Sequence, residues 1–315
     1  MIEIIRYESS NKIKWNDFIT NSKNGIFLFN RDYMDYHSDR FRDHSLMFYE
    51  NDKLIAVLPA SEEQKVLYSH AGLTFGGVIS TVAMKISIML EIFDILRMYL
   101  SSNAFTKLIY KIIPHIYHSV PSEEDLYALF INKAKLLRRD FSAAIGIEEK
   151  LRFSKGRKHS IKKAKKMGVE VRRSEDFETF MKIEEFVLEK YHNTKPVHSS
   201  DEIELLAKRF PKNIKLFGAY KNETMIAGTI IYESKNVAHT QYIASIDEGK
   251  EIGASDIIFD YLLNDYYANK RYFDFGISTE KEGRYLNAGL ALNKETFGGR
   301  GIVYDWYEIN LGDEL

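Results

Sequence analysis

Three side chains in the second half of the chain have the chemistry to move a proton or hold a developing negative charge: His239, Asp274 and Lys294. His239 sits in the run VAHTQYIAS, residues 237–245, rich in β-branched and aromatic residues, whose alternation predicts a strand. On that strand His239, Gln241 and Ile243 should share one face, with Thr240 and Tyr242 on the other. A polar strand face is expected where it lines a cleft. There His239 would serve as a base or orient an acceptor, with Gln241 and Tyr242 as substrate contacts. Asp274 closes a second short run, residues 271–275, before Gly276. Lys294 lies between Leu292 and Phe297-Gly298-Gly299. Each has a plainer alternative: a hydrogen-bonded sheet histidine, a turn aspartate and a surface-loop lysine.

The elements between these residues read as one strand–turn–helix–strand unit. Two glycines, Gly249 and Gly253, break the pattern after the first strand, and helical spacing runs from Ala254 to about Asn269. The turn should present free backbone N–H groups at Gly253, Ala254 and Ser255, a ready anion site, with Lys250 adding a point charge. A cationic run, residues 157–166, carries Arg157 and Lys158 at its start. It reads either as a solvated face or as a phosphate clamp.

In chain order the first half reads β-α-β-β-α-β-α-β. A hairpin crosses Asn51-Asp52, an amphipathic helix covers residues 84–100, and Ser122 caps a helix with Asp125 at the capping-box position. The second half repeats that order, with helices over 176–191 and 200–209, a hairpin over 214–233 and a last strand at 302–309. The chain of 315 residues is therefore expected to be α+β, with two similar domains, 1–147 and 148–315, each a mixed central sheet flanked by helices.

Composition excludes several classes. There is no cysteine, hence no disulfide, thiolate metal site or cysteine nucleophile. A formal net charge of −1 gives no general polyanion-binding character. The N-terminal residues lack a signal pattern, the most apolar stretch is broken by charges, and histidines lack ligand spacing. The expectation is a cytoplasmic protein without membrane span or metal; the sequence leaves the oligomeric state open.

Three segments carry a family resemblance. Residues 156–169 are similar to the pattern R-x-x-I-R-K-A-x-K-x-G-V; the second segment is His239–Ser245 with the loop and helix after it, where Lys250–Ser255 resembles a loose pyrophosphate loop of the GNAT acyltransferases; Phe273-Asp274-Phe275-Gly276 followed by Lys294 and Phe297-Gly298 resembles an F-K-x-x-F-G ending. With two tandem α+β halves, the chain resembles the FemABX family of aminoacyl and acyl transferases. The resemblance implies tandem GNAT-like domains, an acyl-CoA donor at Lys250, Gly253, Ala254 and Ser255, and Lys294 near the acyl carbonyl. It further implies a small-molecule or nucleotide-linked acceptor near Arg157 and Lys158. Asn293 stands where the family has Phe, and no long helical hairpin interrupts the second half. Both features place the chain nearer to acetyltransferase-like members of cell-envelope polysaccharide synthesis than to those using aminoacyl-tRNA and a peptidoglycan precursor. A catalytically silent binding protein that keeps the fold is the third reading.

Overall fold

The computed structural model describes residues 1–312, and the described chain divides into two compact units. Unit 1 comprises residues 1–141, 279–285 and 303–315; unit 2 comprises 142–278 and 286–302. The contiguous division at 147/148 expected from the order of elements is corrected on this point. The chain's last strand carries Trp306–Asn310 back to pair with Lys107–Lys111, a partner no local pattern announces.

In unit 1 the elements run β1 (Ile2–Arg6), α1 (Lys12–Asn21), α2 (Arg31–Met34), β2 (Leu46–Glu50), β3 (Lys53–Leu58), β4 (Ser61–Glu63), β5 (Val66–Tyr68), β6 (Ile79–Ser80), α3 (Ile86–Ser102), β7 (Lys107–Lys111) and α4 (Glu124–Ile131). Asn51 and Asp52 both take positive φ and turn β2 into β3 as a hairpin. One sheet has the order β1-β2-β3-β6; β4, β5 and β7 lie in another, beside residues of the last strand. Helix α3 buries Met89, Ile92, Phe93, Leu96 and Leu100, spaced three and four apart, which is why its apolar stripe forms a helix face. Asp125 does not act in a capping box. It is buried, accepts a hydrogen bond from Tyr110 Oη at 2.7 Å, and burial raises its carboxyl to about 6. Lys111, also buried, points its ammonium at the carbonyls of His70, Ala71 and Leu73 (3.1, 3.0 and 2.7 Å), and burial lowers its pKa to about 7.

The chain continues through β8 (Lys135–Gly146), whose residues from Ser142 belong to unit 2. Then come α5 (Lys155–Lys166), β9 (Glu170–Ser174), α6 (Phe177–His192), α7 (Ser200–Arg209), β10 (Ile214–Lys221), β11 (Thr224–Glu233), β12 (Val237–Ser245), α8 (Asp247–Ile252), α9 (Ala254–Tyr261), β13 (Tyr272–Ile277), β14 (Thr279–Glu280), β15 (Tyr285–Leu286), α10 (Ala288–Glu295) and β16 (Arg300–Asn310). The unit 2 sheet has the order β8-β13-β12-β11-β10-β9 and is mixed: β12 and β13 are parallel, their other neighbours antiparallel. Helices α6 and α9 pack on β11 and β12, and α5 packs on α9. The aromatic core centres on Phe259, Phe273, Phe275 and Phe297. Ser199 caps α7 in a complete capping box with Glu202.

Three local expectations are corrected here. The hairpin β4–β5 and helix α10 were not expected, and the glycine turn after β12 is not a turn. Residues 247–252 are helical, Gly253 ends α8 and opens α9 with φ +84°, and α9 passes after Tyr261 into a π-helical turn, Leu262–Tyr266, that ends close to Asn269.

Candidate active site

Parallel pairing of β12 with β13 lasts for three residue pairs and ends at His239 opposite Asp274. Beyond this point β12 continues to Ser245 and β13 to Ile277 without further pairing between them. The side chains of the last pair meet: His239 Nδ1 is 2.9 Å from Asp274 Oδ2. A carboxylate only accepts, so Nδ1 carries the proton and Nε2 is left as an acceptor. Asp274 is fully buried. Its other oxygen accepts from Ser142 Oγ at 2.8 Å and from the Gly276 N–H at 3.0 Å. The carboxylate is thus fixed from two sides, and it orients the imidazole.

Gly276 links this pair to Lys294. Its φ of +75° belongs to the left-handed region that glycine enters without a Cβ penalty. That conformation turns its N–H back to Asp274 while its carbonyl accepts from Lys294 Nζ at 2.8 Å. Lys294 also donates to Ile277 O at 2.7 Å. One ammonium N–H has no partner among the described residues. Lys294 is 4% exposed and lies on helix α10, not on the surface loop its glycine-rich surroundings suggested. Burial lowers its pKa to about 8 against the opposing pull of Asp274. The expected trio His239, Asp274 and Lys294 is therefore brought together around one glycine. Ser142 and Gly276 were missed. A serine within the apolar run FSAAIGI was the available signal for the first.

Gln241 is the extra residue of a β-bulge: consecutive Ile230 and Ile231 pair with Tyr242 and Thr240. The bulge breaks the simple alternation on which a shared face for His239, Gln241 and Ile243 rested. Gln241 is half-buried with no hydrogen-bond partner among the described residues. Tyr242 is buried, and its hydroxyl lies 2.6 Å from His198 Nδ1. It pins the segment between α6 and α7 to the sheet.

Part of the expected pyrophosphate cradle is taken up within the protein. The Gly253 N–H is already donated to Gly249 O at 3.1 Å. A Cβ at Gly253 would stand 2.9 Å from Ser160 O, so α5 covers that side of the glycine. Ala254 is fully buried, and Ser255 is half-exposed. Lys250 lies 3.7 Å from the centre of the Tyr191 ring and 3.7 Å from Asp247. Asp247 occupies the first turn of α8, held by Lys190 Nζ and Tyr191 Oη, both at 2.6 Å, and these partners lower its carboxyl to about 2. Asp247 thus lies at the start of α8, while Gly253, Ala254 and Ser255 lie at its end, where α9 begins.

Arg157 and Lys158 part company. Arg157 Nη1 pairs with Asp256 Oδ1 at 2.6 Å and Nε donates to Thr296 Oγ1 at 2.9 Å, while the guanidinium stacks 4.3 Å from the Phe297 ring centre. It fastens α5 to α9 and to the end of α10, so its expected role as a free phosphate clamp is corrected. Lys158 is exposed and faces a cleft.

A family model described as the acetyltransferase (GNAT) domain matches residues 152–285, the stretch that holds His239 and Asp274. Residues 152–285 are thus a GNAT-type acetyltransferase domain. The fold of the chain is similar to the crystal structure of FemX, with a TM-score of 0.69 at 10% identity over 98% of this chain and 97% of that one. It is also similar to L-PGS from Bacillus licheniformis, with a TM-score of 0.60 at 11% identity over 98% and 94%. A tandem GNAT protein from the clavulanic acid biosynthesis pathway aligns over 100% of both chains, with a TM-score of 0.50 at 9% identity. No curated protein matches the sequence. Among the described residues no helix is long and apolar enough to cross a membrane, and no group of His, Asp and Glu could hold a metal ion.

Proposed function

We propose that unit 2 transfers an acyl group from an activated ester or thioester to an amine, with His239 as the general base. The observation that carries this reading is the Ser142–Asp274–His239 hydrogen-bond chain at the point where β12 and β13 stop pairing. The acyl carrier is proposed to lie on the Nε2 side of His239. As the amine attacks, Nε2 takes its proton while Asp274 steadies the imidazolium that forms; collapse of the tetrahedral intermediate then breaks the carrier's C–S or C–O bond, and the carrier leaves with the proton returned from the imidazolium. The carbonyl oxygen gains charge, and the unpartnered N–H of the Lys294 ammonium is the group proposed to meet it. Gln241 is proposed to contact the acceptor.

The first reading of the substrates is an acyl-CoA donor and an amino group on a nucleotide-linked sugar of cell-surface polysaccharide synthesis. One observation favours a second reading. Gly253, in the segment that would cradle a CoA pyrophosphate, has its N–H donated to Gly249 O and one side covered by Ser160. On the second reading the donor is an aminoacyl-tRNA and the acceptor a peptidoglycan precursor, in keeping with the fold shared with FemX. The test offers the full chain acetyl-CoA or aminoacyl-tRNA together with amine acceptors and follows release of the carrier. Transfer that His239→Gln abolishes supports the general base. Turnover by that variant at the wild-type rate would sink it.

A further inference from the structure

A second cationic site lies in unit 2, built from residues that the His239 site does not use. A cleft of about 530 Å³ is ringed by Lys150, Arg152, Lys158, Lys162 and Lys165, with Asp260 the single acidic residue in its lining. Phe153 and Ile161 supply an apolar floor. Two of the five cations are committed within the protein. Lys150 Nζ donates to Leu263 O (3.0 Å) and Asn264 Oδ1 (2.8 Å), and Lys165 pairs with Asp260 (2.9 Å). Arg152, Lys158 and Lys162 have no hydrogen-bond or ion-pair partner among the described residues. Elsewhere in the unit, exposed lysines such as Lys182, Lys190 and Lys208 are paired with carboxylates.

The arrangement is unfavourable unless something answers it. Lys158 and Lys162 are one turn apart on α5, the spacing at which like charges repel on a helix surface. The sequence of α5 contains no acidic residue to offset them. Its first turn contains Lys155, Arg157 and Lys158, at the end of the helix dipole that disfavours cations. The packing of α5 is secured by Arg157, Ile161 and Ala164, so the outward lysines are not needed to hold the helix. The cleft is also of the size that encloses one small organic ligand.

We infer that this cleft binds a phosphate ester carrying at least two negative charges. Arg152 offers the planar fork that matches phosphate oxygens, and Lys158 and Lys162 act as point charges. Phe153 and Ile161 receive the organic part of the ligand. The same chemistry is presented by a soluble nucleotide and by an anionic lipid headgroup.

The experiment titrates the full chain with inorganic pyrophosphate, with ADP, and with vesicles of phosphatidylglycerol in phosphatidylcholine, at two salt concentrations. Wild type should bind pyrophosphate, and K158Q/K162Q should bind it at least about tenfold more weakly, the loss of one charge-assisted contact or more. The salt dependence of the affinity should flatten in the same variant. Lys212→Gln, an exposed lysine outside the cleft, should bind as wild type. ADP binding without vesicle sedimentation supports the site with a soluble ligand; vesicle sedimentation lost in the double variant supports it with a headgroup. Circular dichroism checks the fold, and Arg152→Gln, on the segment before α5, replaces the double variant if that does not fold. Binding of none of the three probes, or equal affinity in wild type and variant, overturns the inference. So does a single-stranded RNA oligonucleotide that binds more tightly than ADP and is lost in the double variant, because the cleft would then be part of an RNA surface.

Discussion

His239 faces Asp274 on the last paired rung of a parallel ladder, 2.9 Å apart, and beyond it both strands run on without pairing to each other. The base therefore stands where this ladder ends, and the group that orients it is fixed by the strand on its other side through Ser142. Asp274→Asn keeps the shape but removes the charge and lets the imidazole take the other tautomer. Transfer to an amine should fall by about 10²–10⁴, the range of a lost general base. The check is steady-state kinetics with a folded variant. A rate within threefold of wild type would remove Asp274 and His239 from the chemistry.

Lys294→Met should lower both activity and stability, since the buried Gly276 carbonyl and the part-buried Ile277 carbonyl lose their donor. The cost of leaving such a group unpaired is about 1–3 kcal/mol each. The pH dependence has a definite sign. The folded pKa, about 8, lies below the ordinary lysine value, so between about pH 8 and 10.5 the unfolded chain binds more protons than the folded one. Stability contributed through Lys294 therefore rises with pH across that window and is flat below it. Urea unfolding of wild type and Lys294→Met at pH 7.5 and 10 should show a smaller alkaline gain in the variant. An identical gain would show that the ammonium does not titrate in this window.

Arg157→Ala leaves Asp256 buried without its cation. Breaking a pair of this kind costs about 3 kcal/mol. In a protein of this size that is roughly 4–5 °C in Tm. Arg157→Lys should recover only part of it, because the fork shared by Asp256 and Thr296 is lost. An unchanged melting temperature in Arg157→Ala would mean that the contact carries no net stability and would return the residue to ligand binding.

Glu184, on α6, is buried, has no hydrogen-bond partner among the described residues, and is raised by burial to about 7. Its folded pKa lies above the unfolded value. The relative stability it contributes is fully present below about pH 4.5 and is lost as pH rises through about 7. Glu184→Gln should therefore be more stable than wild type at pH 8 and much closer to it at pH 5. Guanidinium unfolding at the two pH values measures this. Equal stability at pH 8 would mean the carboxyl is solvated in the folded protein.

Much of the scaffold was legible locally. The alternation over 237–245 and the hairpin over 214–233 specified their strands, and the three- and four-residue spacing of Met89 to Leu100 specified a helix. Helix α10 was not legible, because AGLALNKE has two weak positions and owes its order to burial of Ala291 and Lys294. The helical state of residues 247–252 was hidden by Gly249, whose missing side chain is demanded by the close Ile226 carbonyl.

The sequence by itself determined which side chains were available for acyl transfer and that His239, Asp274 and Lys294 lay on or next to the elements of one α+β unit, because side-chain period and glycine position are properties of neighbouring residues. Tertiary structure alone decided their partners. His239 and Asp274 are 35 residues apart and meet through strand register, while Arg157 and Asp256, 99 residues apart, pair because α5 lies on α9. Whether a charge is spent inside the fold, as in Arg157, or left facing a cleft, as in Lys158, depends on which helix face the packing covers, and that is fixed by contacts between elements distant in the chain.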